Sequence, residues 1–399
     1  MALLPKPYPD EVIGSVIARA VWQNGLPLKV LLKDIFDSNR SYSSFLMSTG
    51  LRRIGLLTGT DAEEILMCHT VFPYSTAFMP GSVRAVLKSK ALSPTKSEDC
   101  LSSLTKNVSH GVSFRRVCVL CIQEDLVTYG ESYWRREHLL PGAIVCTQHR
   151  IKLRKTDIPL RGCTQSTDAL LPHMVKHSSI QTKPTVELLE VVTELSVKAL
   201  NWKLESSVEL LDKYRSDAIK RGYQLPSGDI ASVVLSGSVM RLFGSRFLEE
   251  SGAQMSRRSP WPSLMVRPGI GVTFATAKHV FLQVFLSQGP TAPKNISDNY
   301  RTPGKKLSDF KRLDKRLFQR LKNLVKMAFV QNIRLTVKQL LQDAGSWSIY
   351  RHQREQFPKS TALLGQFRKS SQAERQVGVR ECWRKRHPSK FDAKELSPE

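Results

Sequence analysis

Apolar residues recur every three or four positions through most of this chain, which is the spacing of one buried face of an α-helix. Over residues 9–36 the pattern predicts two helices separated by Asn24-Gly25, with Asp10 as the N-cap of the first. Helix, glycine turn and helix is the outline of a helix-turn-helix, and a helical hairpin used only for packing fits the same pattern. The polar positions carry mixed charge, so we expect this unit to be a docking module.

The helical period continues through the middle of the chain. Between Gly228 and Gly252 it predicts two helices broken near Ser236-Gly237, a second helix-turn-helix outline, followed by a loop over residues 256–268. Further helices are predicted over residues 61–68, 186–200, 208–221 and 274–286.

The last quarter begins after residues 295–304, which are rich in Pro, Gly, Ser and Asn and predict a linker. Residues 311–326 then form an amphipathic helix with leucines on one face and lysines and arginines on the other. Thr336 is a candidate N-cap for a short second helix, and residues 348–357 predict a third that Pro358 stops. Three helices with a glycine turn before the last favour a trihelical DNA-reading fold. A basic helical bundle that holds phosphates without reading bases is the alternative.

These patterns predict a mainly α, multi-domain protein with an N-terminal helix-turn-helix, a central zinc-finger or zinc-ribbon-like module and C-terminal helix-turn-helix domains. We expect a docking domain at 1–113, a zinc-binding module at 114–165, a middle helical domain with a helix-turn-helix at 166–294, and a basic DNA-binding domain at 295–399.

The zinc expectation rests on four residues. Cys118 and Cys121 are separated by two residues, as are Cys146 and His149, and 24 residues lie between the two pairs. Two such pairs joined by a connecting segment are typical of a chain folded around one tetrahedral Zn²⁺. Three thiolates and one imidazole leave no open coordination position, so we expect one structural ion; the alternative is a chance placement. His138, within the connecting segment, is expected to pack structurally rather than to bind the metal.

The charge of the chain points to a polyanionic partner. The formal net charge is +25, and residues 301–399 carry 24 Lys+Arg against 9 Asp+Glu, which is +15 of that total. Nucleic acid is the most common partner of such a chain, with a membrane surface as the other candidate. The expected DNA contacts are Arg312, Lys315, Arg316, Lys338, Arg351, His352, Arg354 and Lys359, together with Arg241 and Arg246 in the middle region.

Signatures of other protein classes are missing from the sequence. It has no phosphate-binding loop, dinucleotide fingerprint or zinc-protease motif, and its acidic residues are scattered, so we expect no enzymatic activity. No window of 18 apolar residues occurs, which favours a cytoplasmic protein with no membrane contact. The chain has seven cysteines, of which three belong to the expected metal group and the other four are expected to be buried or incidental, so there is no sign of a disulfide framework.

The chain resembles the TniQ/TnsD family of transposition target selectors. The resemblance is carried by Pro9-Asp10-Glu11, by Asn24-Gly25, and most specifically by the run Tyr133-Trp134-Arg135-Arg136-x-His138-x-x-Pro141-Gly142 between the two metal pairs. Segments of the second half, such as VMRLFGSRFLEESG and IRLTVKQLLQDAG, are similar to the longer TnsD-type members. Two positions depart from the family: Val119 replaces the usual proline, and Arg150 stands where glycine is common.

The resemblance implies a bacterial, nucleoid-associated protein without catalytic chemistry. It would bind a specific double-stranded DNA attachment site and recruit an AAA+ ATPase regulator (TnsC-like), which brings the transposase. Its N-terminal and zinc regions would mainly contact the regulator, and its basic C-terminal regions the DNA. Two other functions stay open: a TniQ-type adaptor that docks on a CRISPR RNA-guided effector complex, and an unrelated zinc-containing transcriptional regulator.

Overall fold

Helices dominate the chain, as the sequence predicts, and they belong to two compact units, Met1–Thr302 (unit 1) and Pro303–Glu399 (unit 2). The structure is a computed structural model. It describes residues 3–36, 44–48, 50–93, 104–106, 108–161, 165–202, 207–256, 260–267, 274–293, 296, 307–330, 336–344, 346–352 and 354–368.

Unit 1 begins with a series of short helices. The first ends at Gly25, whose positive φ of 63° is favourable for glycine and whose N–H caps the last carbonyls. The helices are α1 (Ile13–Asn24), α2 (Leu28–Ile35), α3 (Leu51–Thr58), α4 (Ala62–Cys68), α5 (Phe72–Thr76) and α6 (Gly81–Ala91).

The prediction that Asp10 caps α1 is wrong. The N-cap is Val12, which has no side-chain cap, and Asp10 lies two residues earlier with a positive φ of 56°. Its carboxylate instead accepts hydrogen bonds from Arg136 Nε at 2.9 Å and from the Glu137 N–H at 3.1 Å. The Asp10 carboxylate therefore binds residues 136 and 137, which are distant in sequence, and does not cap the helix that follows it.

A small antiparallel sheet follows, with strand order β1-β2-β3. Its strands are β1 (Phe114–Val117), β2 (Arg154–Pro159) and β3 (His177–Ser179), and helix α7 (Val119–Tyr129) begins directly after β1. The register places Arg116 opposite Lys155, and Lys155 opposite Ser178. These three side chains therefore leave the sheet on one face.

The middle of the chain adds six helices among the described residues. They are α8 (Val186–Leu200), α9 (Ser207–Lys220), α10 (Ser232–Phe243), α11 (Ser245–Glu250), α12 (Trp261–Met265) and α13 (Thr276–Gln288).

Two predictions for this region are wrong. Helix α10 runs through Ser236-Gly237, because the buried Ser236 hydroxyl contacts Ser263 Oγ at 3.0 Å and tertiary packing holds the helix together. The break falls at Gly244, whose φ of 82° favours glycine. The expected loop over 256–268 contains α12, on which Trp261 is buried and bonded through Nε1 to Ala253 O at 2.8 Å.

One continuous apolar core joins these elements, from Leu4 to Leu286. Most of helix α13 is buried in this core: nine of its thirteen residues are buried, including Val280, Phe281 and Phe285. A helix with so little exposed surface belongs largely in the interior. One core is thus shared by the N-terminal helices, the sheet region and the middle helices of unit 1.

Unit 2 has a core of its own, built on Leu317, Leu321, Leu340 and Leu341. Thr336 caps the second helix, as predicted, through a reciprocal capping box with its third residue. The elements are α14 (Leu307–Val330), α15 (Val337–Asp343), α16 (Trp347–His352), a 3₁₀ turn (Arg354–Gln356) and α17 over residues 358–368. The predicted turn residue Gly345 lies outside the described residues.

The third helix ends before Pro358, as predicted, but a further helix that was not predicted starts at this proline. The buried carboxylate of Asp314, on α14, accepts hydrogen bonds from the N–H groups of Lys359 and Ser360 at 3.0 Å each and from Ser360 Oγ at 2.6 Å. A side chain from another helix therefore supplies the N-cap of α17. Proline in the first turn costs nothing, since its missing N–H has no intrahelical partner anyway.

Candidate metal centre and nucleic-acid interface

The four residues predicted as metal ligands lie together. His149 Nδ1 is 3.5 Å from Cys118 Sγ, 3.4 Å from Cys121 Sγ and 3.6 Å from Cys146 Sγ. Cys121 Sγ and Cys146 Sγ are 3.6 Å apart. Zinc–ligand lengths of about 2.0–2.3 Å at tetrahedral angles give edges of about 3.6 Å for S–N and about 3.8 Å for S–S. The observed edges match those values, so this group fits a tetrahedral cation.

Two local structures hold the ligands. Cys118 directly follows β1 and is the N-cap of α7, which carries Cys121 in its first turn. On the other side, Cys146 N–H donates to Ile151 O at 2.9 Å, and Arg150 N–H donates to Cys146 O at 2.9 Å, which closes a tight knuckle. Arg150 takes a φ of 56°, the left-handed conformation that glycine adopts without strain.

The outer nitrogen of the histidine is also held. His149 Nε2 lies 2.8 Å from Glu124 Oε1, and Gln148 Nε2 donates to the other oxygen of Glu124 at 2.7 Å. A carboxylate on the outer nitrogen directs Nδ1 inward and increases the basicity of the imidazole as a ligand.

The thiols compete for protons at these distances. Hydrogen bonds from Cys121 and Cys146 lower the pKa of Cys118 to about 3, whereas the contacts with Cys118 and Cys146 raise the pKa of Cys121. Neighbouring thiolates repel one another, and a divalent cation among them removes that repulsion.

A second small group borders the first. Glu137, His138 and Cys146 also bring ligand atoms within 4.8 Å of one another. The two groups share Cys146, so they are not two independent metal sites. His138 is buried, and its Nε2 lies 3.8 Å from Glu137 Oε1.

The aromatic and basic insert between the metal pairs is fastened to α1. Trp134 O accepts from Val12 N–H at 3.0 Å, and Trp134 N–H donates to Ser15 Oγ at 3.0 Å. Arg136 N–H donates to Asp10 O at 2.9 Å, in addition to the carboxylate bond described above. These bonds make the N-terminal acids structural partners of the insert.

A buried ion network extends the same contact. Glu11 is fully buried and accepts from Arg19 Nη1 at 2.8 Å and Ser15 Oγ at 2.7 Å. Arg19 Nε also donates to Glu131 Oε1 at 2.8 Å, and its guanidinium lies 3.7 Å above the Tyr8 ring. Sequence reasoning missed this network. The available signal was the pair of opposite charges Glu11 and Arg19, eight residues apart at the start of the chain, together with the acid Glu131 in the insert.

The predicted DNA contacts of unit 2 are on its surface. Arg312, Lys315 and Arg316 share a face of α14, since they lie three and four residues apart. The side chain of His352 lies outside the described residues. The exposed candidates are Arg312, Lys315, Arg316, Lys338, Arg351, Arg354 and Lys359.

The two predicted contacts of unit 1 line a cavity of about 520 Å³ together with Lys183. Arg241 Nη2 donates to Ser238 Oγ at 2.9 Å, and Arg246 Nε pairs with Glu250 at 2.8 Å. Both side chains are exposed. Helix α10, Gly244 and α11 hold them at one edge of this cavity.

Comparison with known proteins gives two matches. Residues 2–153 match the TniQ family, and this segment includes all four residues of the metal group. The transposon Tn7 transposition protein TnsD of Escherichia coli is 28% identical over 156 residues, which are 37% of this chain. The aligned segment spans only 30% of the length of that relative. In the part of the chain that the structure describes, no helix is both long enough and apolar enough to cross a bilayer.

Proposed function

The chain belongs to the TniQ family through residues 2–153 and is similar to TnsD, and from this premise we propose that it selects DNA target sites for transposition. The family match is the observation that carries the proposal. In this role the chain binds an attachment site and recruits other proteins, and performs no catalysis itself.

Unit 2 is the proposed DNA-binding part. Its exposed cations supply phosphate contacts, and α15 and α16 act as a helix-turn-helix in which Arg351, His352 and Arg354 read base edges. The +15 charge of residues 301–399 supports this assignment, because neutralising phosphates requires an excess of Lys and Arg. Arg241 and Arg246 of unit 1 add further contacts.

The metal group is proposed to hold one structural Zn²⁺. Three thiolates and one imidazole are ligands that zinc prefers, and the measured edges fit its tetrahedron. With four protein ligands no position is free for substrate. The ion would fix the end of β1 and the start of α7 against the knuckle at Cys146.

Specific DNA recognition is tested by selection from a random duplex library with the purified full chain, followed by sequencing. We expect one enriched sequence. Arg351→Ala should cost about 1–3 kcal/mol and relax the preference at single positions, as the loss of a base contact does. Lys315→Ala should weaken all sequences equally, and Lys220→Ala, an exposed control in unit 1, should change neither result. A library without enrichment contradicts sequence-specific selection.

Recruitment is tested separately, by co-purification with a TnsC-like AAA+ ATPase regulator. If binding of the ATPase regulator survives Lys315→Ala, the regulator does not depend on this DNA-binding residue. This result is expected if the regulator contacts the N-terminal and zinc regions, as we propose. Co-purification with an RNA-guided effector and no shift of naked DNA would favour the adaptor function instead. Promoter binding without an ATPase partner would favour a transcriptional regulator. A target-selecting role places the protein on the bacterial nucleoid.

A further inference from the structure

Two neighbouring arginines of β1 have opposite surroundings. Arg115 donates to Asp168 Oδ1 at 2.7 Å on one face of the sheet. Arg116 points to the other face and is 7% exposed, and no carboxylate lies within ion-pair distance of it among the described residues. Its Nη2 donates to Leu140 O, while its buried Nε has no hydrogen-bond partner in the described part of the chain.

A buried guanidinium without a counter-ion is costly. Transfer of a charge out of water is offset only by a paired charge or a full set of hydrogen bonds, and Arg116 has neither. Arginine does not lose its proton at physiological pH, so it cannot escape this cost by becoming neutral.

The strand register adds a second cation. Lys155 lies directly opposite Arg116 on β2, and Ser178 lies opposite Lys155 on β3. Like charges directly opposite one another destabilise a sheet. The three side chains form a row of two cations and a hydroxyl across the three strands, and the Lys155 ammonium is further positioned 4.1 Å above the Phe114 ring.

This row lines a cavity of about 300 Å³ between the sheet and α11. Arg246 and Glu250 line it from the helix side, and they pair with each other at 2.8 Å. Glu250 is the one carboxylate among the residues that line the cavity, so the sheet cations keep an excess of positive charge. The cavity is adjacent to the one that Arg241 lines, since Gln181, Arg246, Phe247 and Glu250 line both.

We propose that this cavity is an oxyanion site in which Arg116, Lys155 and Ser178 bind a phosphate group. A tetrahedral phosphate accepts from several donors at once, which suits a guanidinium, an ammonium and a hydroxyl that lie in one row across three strands and line one cavity. The phosphate belongs either to a free phosphoester or to a nucleic-acid backbone that continues along the cavity past Arg246 and Arg241.

The first arm of the test uses inorganic phosphate with the full chain, titrated by calorimetry at constant ionic strength with chloride as the balancing anion. Lys155→Ala should weaken phosphate binding about ten-fold, the ratio expected for one lost charge-assisted hydrogen bond. Arg154→Ala is the matched control: it removes the same charge from the neighbouring position of β2, which faces the other side of the sheet. Its affinity should equal that of the wild type.

The second arm uses random-sequence duplex DNA over a range of salt concentrations. If the phosphate is part of a backbone, Lys155→Ala should reduce the slope of log affinity against log salt by about 0.9, the value for one lost phosphate contact, and Arg154→Ala should not. An unchanged slope with weaker phosphate binding assigns the site to a free phosphoester. If Lys155→Ala changes neither quantity relative to Arg154→Ala, the proposal is overturned.

Arg116→Met gives an independent readout. We expect it to fold with no loss of thermal stability in phosphate-free buffer, because an unpaired buried charge is replaced by an apolar chain of similar length. Added phosphate should raise the melting temperature of the wild type and not of this variant; an equal rise in both overturns the proposal. If Arg116→Met does not fold, Lys155→Ala decides. Neither arm depends on sequence preference, so failure here is distinct from failure of target selection.

Discussion

Gly142 tests whether the insert between the two candidate metal pairs and the middle helices share one core. It has a φ of 76°, and a Cβ at this position would lie 2.8 Å from Phe281 Cζ on α13 and 3.1 Å from Val192 Cγ1 on α8. Gly130, in the same insert, has a φ of 74° and no atom within 4 Å of the equivalent Cβ. The two glycines therefore have the same backbone conformation and different packing.

Gly142→Ala should destabilise unit 1 more than Gly130→Ala. The left-handed conformation costs about 1–2 kcal/mol for alanine at either site. Overpacking adds about 1–3 kcal/mol at Gly142 alone, because the Phe281 ring and the Val192 side chain must move. We therefore expect a difference of about 1–3 kcal/mol between the variants.

Hydrogen exchange of peptides from α13 measures this difference, since it reports the opening of unit 1 without interference from unit 2. Equal losses in Gly142→Ala and Gly130→Ala would refute the packing of the insert against α13. A large loss confined to peptides of the insert would show that the insert opens independently of the middle helices.

Three further predictions concern the metal, a helix cap and pH. Cys146→Ser should lose bound zinc in metal analysis and misfold locally, whereas the exposed Cys68→Ser should keep its zinc; full zinc in both would contradict the site. Asp314→Ala should destabilise unit 2 by about 1–2 kcal/mol in urea unfolding by removing the cap of α17, and the exposed Asp343→Ala should have little effect. Burial lowers the pKa of His279 to about 3, so between pH 6.5 and 3 the unfolded chain binds a proton that the folded chain does not. The free energy of unfolding should therefore fall by up to about 1.4 kcal/mol per pH unit as the pH drops from 6.5 to 3, and His279→Gln should flatten that slope.

Local spacing made the metal group predictable. Each pair, such as Cys118 and Cys121, is close in sequence, so the spacing itself carries the geometry, and only the closure of the two pairs is long-range. The same holds for the capping box at Thr336. The glycine that is common in the family at position 150 also has a local explanation. Arg150 takes a φ of 56° there, a conformation that glycine adopts without strain.

Contacts between distant segments explain most of the errors. Asp10 precedes a helix and has the chemistry of an N-cap, but its carboxylate accepts a hydrogen bond from Arg136 instead. Ser236 precedes a glycine, yet its contact with Ser263 keeps the helix intact. The three-stranded sheet was not predicted either, since strands of three to six residues carry too short an alternation to stand out from a helical period.

Pairing decides which cations can attract a polyanion. Arg135 and Arg136 are the most basic feature of the family-specific run, but Asp125 and Asp10 bind them at 2.9 Å and both are largely buried. They fasten the insert to the rest of unit 1 and add little to the external field, because a paired charge is cancelled at short range. In the part of the chain that the structure describes, cations without a carboxylate partner include the exposed Arg312, Lys315 and Arg316 of unit 2 and, at the sheet, Lys155 and the buried Arg116. The net charge of +25 therefore overstates the binding surface, and unit 2 and the sheet are two regions that mutation can test separately.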